Sequence, residues 1–148
     1  MRYLLDTSAL LAHYRKEIGW QEVQALFEDG EAEILLASLT LTEFSRRLHE
    51  MGADDAEIMD TLDGYRLLLN EIIAIDDPIA TAAYQIGQRA SARLPLADAL
   101  IAAAAQADDA ELVHRDKHML GIPSHVVKQR FLVSQSPNDT EEATARVD

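Results

Sequence analysis

The chain contains no cysteine. That excludes disulfides and thiolate-ligated zinc, and it fits a reducing compartment such as the cytoplasm. Basic residues are scarce: 13 Lys and Arg, only three of them Lys, stand against 26 Asp and Glu, for a formal net charge of -13. A broad basic surface for nucleic acid is therefore excluded. Either the partner is basic or the acids cluster to hold cations, and the same composition also suits a high-salt habitat. Aromatic residues make up 5% and are scattered, so no base-stacking platform is visible. No apolar run approaches the ~18 residues of a membrane span. No signal peptide is expected before the first apolar strand at Tyr3 to Leu5.

What remains is a chain of 148 residues with 48% apolar content, enough for one domain with a real core. Its pattern alternates short apolar strands with helices. Strands are expected at Arg2–Leu5, Ile34–Ala37, Ile72–Ile75 and Leu112–His114, with a fifth from Val126-Val127 or Phe131–Val133. Helices are expected at about Ala9–Glu17, Trp20–Glu28, Thr40–Met51, Asp54–Asn70, Asp76–Ala92 and from Pro95 to Ala105. This order predicts an α/β fold of three layers, α/β/α, around a mostly parallel sheet of about five strands. The domain is expected over residues 1–133. Residues 134–148 read as an acidic, flexible tail.

The helix around Leu96-Ala97-Asp98-Ala99-Leu100-Ile101 organises the reading. It is apolar on every face, which predicts burial, yet Asp98 sits in its first turn. A buried lone carboxylate is costly unless paired, hydrogen-bonded or metal-bound. Three other acids fall near the carboxyl edge of the expected sheet. Asp6 follows the first strand, Asp116 follows the fourth, and Glu43 lies in the first turn of the helix after the second. Ligands of open α/β sheets bind at that edge. Four carboxylates there repel one another until a hard divalent cation neutralises them. Such a cation activates water and offsets charge on a phosphoryl group. Structural readings stand beside this one. Asp6, Thr7 or Ser8 can cap the first helix, and Glu43 follows Thr40 at capping-box spacing. Asp116 suits an ordinary turn, and Asp98 suits a buried arginine.

Four segments, Leu4-Leu5-Asp6-Thr7-Ser8-Ala9-Leu10, Leu41-Thr42-Glu43-Phe44, Leu94 to Ala102, and Glu111 to His118, together resemble the PIN-domain ribonucleases. The nearest likeness is to the VapC-like toxins of toxin–antitoxin pairs, over Arg2 to about Val133. The resemblance implies a magnesium or manganese pocket of Asp6, Glu43, Asp98 and Asp116, with Thr7 or Ser8 in support. It implies a cytoplasmic endoribonuclease in which a metal-held water attacks the phosphate and leaves a 5′-phosphate. It further implies a homodimer inhibited by an antitoxin whose basic segment reaches into the pocket. One departure stands out: many members carry threonine or serine two residues before the fourth acid, where this chain has His114.

Other residues are less specific. His114 and His118 are four apart, but a strand end does not give the helical spacing that chelates a metal. Arg46 and Arg47 suit either RNA phosphate or pairing with Glu43 or Glu50. Arg115 and Lys117 flank Asp116, as phosphate contacts or as a solvated turn. Two other functions compete with the ribonuclease. A phosphoacceptor signalling domain needs an acceptor aspartate with a facing lysine, and a non-catalytic binding module would use only the helices.

Overall fold

The computed structural model describes residues 1–133; the expected tail at 134–148 lies outside them. Five strands, β1 (Arg2–Leu5), β2 (Glu33–Ala37), β3 (Glu71–Ile73), β4 (Glu111–His114) and β5 (Gln129–Phe131), form one sheet. Its order is β3-β2-β1-β4-β5 and every pairing is parallel. The fifth strand is thus neither Val126-Val127, which is buried in the core, nor the whole of Phe131–Val133. Parallel strands need long crossovers, and six helices supply them: α1 (Thr7–Arg15), α2 (Trp20–Glu28), α3 (Ser38–Glu50), α4 (Asp55–Leu68), α5 (Asp77–Arg89) and α6 (Leu96–Ala107).

Alternation along the strands sorts the core into two layers. Leu4, Leu35 and Ile73 pack with Ile79, Ala83 and Ile86 of α5 and the alanine run of α6. Tyr3, Leu5, Ile34 and Leu36 face the other way, onto Leu10, Val23, Phe44, Leu48 and Leu62 from α1 to α4. The three-layer expectation is met, because successive side chains of a strand point to opposite faces.

The chain winds from β1 outward to β3 on one side, then returns to place β4 on the other side of β1. The carboxyl ends of β1 and β4 therefore flank the topological switch point, where open α/β sheets place their ligand crevice. The backbone N–H of Asp6 donates to the carbonyl of Val113, which locks those two ends together at 3.1 Å.

Candidate functional site: an acidic crevice at the switch point

Asp6 is the first residue beyond β1. Its Oδ1 accepts the backbone N–H of Ala9 at 2.8 Å and so caps α1, which begins at Thr7 rather than Ala9. The capping reading is correct and does not exhaust the residue. Oδ1 also accepts the Ser8 hydroxyl at 2.6 Å, and Ser8 Oγ in turn accepts the N–H of Arg115 at 2.8 Å. Ser8 thus ties the first acid to the segment that carries the fourth. Only 2% of Asp6 is exposed. Burial pushes its carboxyl up to about 7 against the two hydrogen bonds that hold it down, with the charges of Asp116 and Glu43 raising it further.

The capping box expected at Thr40 and Glu43 does not form. Helix α3 starts earlier, at Ser38 after Ala37, so both residues lie inside it. Thr40 is buried, and the Glu43 carboxylate accepts the Thr7 hydroxyl at 2.6 Å. That bond aims Glu43 at the crevice instead of back at its own helix.

Asp98 departs from expectation in one respect. Pro95 occupies the capping position, not the first helical one, and the start of α6 is open to solvent, with Leu96 76% exposed. The helix buries Ala99 and the run from Ile101 to Ala105. Asp98 is accordingly half-buried. Burial still pushes it up to about 8, followed by a hydrogen bond shared with Asp116 and by the charges of Asp116, Asp6 and Glu43. No buried arginine meets it: among the described residues no Lys or Arg nitrogen lies within 4.0 Å of Asp6, Glu43 or Asp98, as it would in a salt bridge.

Asp116 follows β4 and caps a 3₁₀ turn at Lys117–Gly121 by accepting the N–H of His118 at 2.9 Å. His114 stands two residues before Asp116, where the resemblance implies a hydroxyl in many members, and its surroundings explain how an imidazole serves. It is fully buried, and Gln129 donates to the carbonyl of Ile122 at 2.8 Å, which turns the amide oxygen toward His114 Nε2, 2.8 Å away. The ring is therefore protonated on Nε2, leaving Nδ1 to accept the backbone N–H of Asp116 at 3.2 Å. Burial lowers the His114 pKa, in keeping with that neutral tautomer. The ring thus orients the backbone of Asp116.

Asp6, Thr7, Ser8, Glu43, Asp98 and Asp116 line one cavity of about 410 Å³, joined at its rim by Arg46 and Arg47. Arg47 pairs with Glu50 at 2.8 Å, and Arg46 makes no salt bridge among the described residues. Arg115 turns away to Glu17 at 3.3 Å, and Lys117 is exposed in the 3₁₀ turn; neither lines the cavity. His118 enters from the sequence's blind side. Its spacing from His114 is irrelevant, yet its ring nitrogen and the carboxylate oxygens of Asp98 and Asp116 lie within 4.8 Å of one another. Four carboxylates, with Asp6 and Asp98 raised in proton affinity and no Lys or Arg of the described residues bridging Asp6, Glu43 or Asp98, form a hard-oxygen donor set that suits Mg²⁺ or Mn²⁺.

An all-parallel doubly wound sheet with an acidic, cation-poor crevice at its switch point defines the class. Within it, the chain belongs to the PIN domain family, which matches residues 3–123. Among curated proteins none matches the chain. Solved structures do. VapBC2 from Rickettsia felis bound to a DNA fragment from its promoter has a similar chain at 20% identity, covering 88% of this chain and 98% of that one, with a TM-score of 0.71. A DNA-bound VapBC from Salmonella typhimurium is 18% identical over 88% of this chain and 98% of its own, with a TM-score of 0.68. A toxin–antitoxin complex from Klebsiella pneumoniae reaches 25% identity over 82% and 92%, with a TM-score of 0.64.

Proposed function

We propose that this protein is a Mg²⁺- or Mn²⁺-dependent endoribonuclease acting as the toxin of a type II toxin–antitoxin pair. The observation that carries this reading is the convergence of four carboxylates from four separate segments on one crevice, with no Lys or Arg of the described residues bridging Asp6, Glu43 or Asp98. A divalent ion, when bound, supplies a water of lowered pKa and offsets phosphate charge. Asp6, Asp98 and Asp116, with Glu43, would hold it. Thr7 holds Glu43, Ser8 and Ala9 hold Asp6, and His114 orients the backbone of Asp116, so these three lose little freedom on binding. Arg46 and Arg47 at the rim offer guanidinium groups to phosphates flanking the scissile one. The products would carry 5′-phosphates.

The toxin role draws on structural neighbours that are toxin–antitoxin complexes. An acidic pocket and a net charge of -13 favour a basic inhibitory segment in the antitoxin. A homodimer and a cytoplasmic site of action belong to the same proposal, and no helix among the described residues is long and apolar enough to cross a membrane. The phosphoacceptor alternative loses ground because no lysine among the described residues lines the crevice. The deciding experiment is cleavage of a total RNA pool with Mg²⁺ or Mn²⁺, wild type beside Asp98→Asn, with cut ends mapped. Cleavage that survives chelator or the substitution removes the proposal.

A further inference from the structure

We propose that His118 contributes a nitrogen ligand to the cation held by Asp98 and Asp116, and that it biases the site toward Mn²⁺ over Mg²⁺. The inference rests on the metal-binding reading of the crevice and extends it to a residue outside the four acids. The 3₁₀ turn folds His118 back over the residue that caps it, so Asp116 Oδ1 lies 2.9 Å from both the backbone N–H and the ring Nδ1 of His118. Cis ligands of an octahedral ion with bonds of ~2.1 Å sit about 3 Å apart, and trans ligands about 4.2 Å. The three ligand atoms of Asp98, Asp116 and His118, all within 4.8 Å of one another, fall close to that span. His114 is no competitor, because both of its ring nitrogens are engaged by Gln129 and the Asp116 backbone. His118 is 63% exposed beside Asp116, so its ring can exchange a hydrogen bond for an ion without unpacking the core.

The choice of ion follows from donor chemistry. Mg²⁺ takes oxygen ligands and dehydrates reluctantly, so a nitrogen at its edge adds little. Imidazole suits transition ions, and affinities for nitrogen-containing sites rise from Mn²⁺ upward along the first row. A site of carboxylates alone would discriminate less.

The test uses tag-free full-length protein, comparing wild type, His118→Ala and Asp98→Asn. Mn²⁺ and Mg²⁺ affinities are measured by calorimetry, and bound Mn²⁺ is examined by pulsed electron paramagnetic resonance for coupling to a directly bound nitrogen. His118→Ala is expected to weaken Mn²⁺ binding on the order of tenfold, to leave Mg²⁺ binding nearly unchanged and to abolish the nitrogen coupling. Equal losses for the two ions would mean that the ring only aligns Asp116, and would overturn the proposal. So would unchanged Mn²⁺ affinity, or no nitrogen coupling in wild type. Failure of the underlying site reads differently: wild type would then bind neither ion any better than Asp98→Asn does.

Discussion

The two ends of β1 present the same problem and solve it in opposite ways. At its amino end Arg2 sits among acids from three other segments, donating to Glu33 at 2.8 Å, Glu71 at 3.3 Å and Asp108 at 3.4 Å. At its carboxyl end Asp6 also gathers acids from three other segments, Glu43, Asp98 and Asp116, but among the described residues no arginine or lysine forms a salt bridge with Asp6, Glu43 or Asp98. One cluster carries its own counter-charge and is closed. The other is left short of positive charge among the described residues, and burial, with the neighbouring acids adding to it, makes Asp6 and Asp98 hold their protons more tightly. Acid content alone therefore does not mark a site; the missing internal cation does.

The contrast breaks first at Asp98. Asp98→Asn is expected to lower metal-dependent RNA cleavage by about a thousandfold, or ~4 kcal/mol of barrier. The same change should leave the melting temperature of the metal-free protein equal or higher, since it removes a half-buried carboxyl that must take up a proton on folding. A large drop in melting temperature would show Asp98 to be a structural acid like those around Arg2. Next comes Ser8→Ala, which severs Asp6 from the backbone of Arg115. Metal affinity measured by calorimetry is expected to fall on the order of tenfold.

The pH dependence sharpens the comparison further. Asp6 and Asp98 titrate at about 7 and about 8 in the folded protein, above the 3.8 of an ordinary aspartate. The folded state then binds more protons than the unfolded one between those values, so stability without metal declines as pH rises through that window and levels off above about pH 8. Metal uptake releases those protons, so affinity should rise with pH over the same range. Thermal melts from pH 5 to 9, with and without saturating Mg²⁺, test this; a metal-free curve rising toward pH 8 would contradict it.

At the closed cluster, Arg2→Met should cost about 1 kcal/mol of stability, given its partly exposed partners, while Mn²⁺ affinity stays as in wild type. A change in metal binding there would mean that the two ends are coupled through the sheet. The smallest effects belong to the rim. Arg46→Ala is expected to raise the KM for RNA a few-fold, in line with loss of one phosphate contact, whereas Lys117→Ala, outside the cavity, should leave it unchanged. Steady-state cleavage of one defined RNA reads both.

Much of this was legible beforehand because burial leaves a periodic trace. Alternating strands and helices announced the parallel sheet, and residues following β1 and β4 had to fall at its carboxyl edge. Asp98 was found because a charge interrupts an apolar helix. Its degree of burial is not legible in hydropathy, which does not say that α6 starts open to solvent at Leu96. The Thr40–Glu43 box fitted its spacing pattern but lost to a tertiary partner, Thr7, that no local rule can see. His114 was noticed as a departure, yet its tautomer depends on Gln129, fifteen residues away. The spacing of His118 points to His114 as its partner, whereas a 3₁₀ turn rather than a helix brings it to Asp116.

Asp6 divides its two oxygens. Oδ1 accepts both of the hydrogen bonds it receives among the described residues, so Oδ2 is left for the crevice. An amide in its place can keep the carbonyl on Ser8 and Ala9 while turning its NH₂ toward Asp116 and Glu43. Asp6→Asn would then carry a built-in stand-in for the absent ion, giving a well-folded but inert protein suited to trapping an uncut RNA in the crevice.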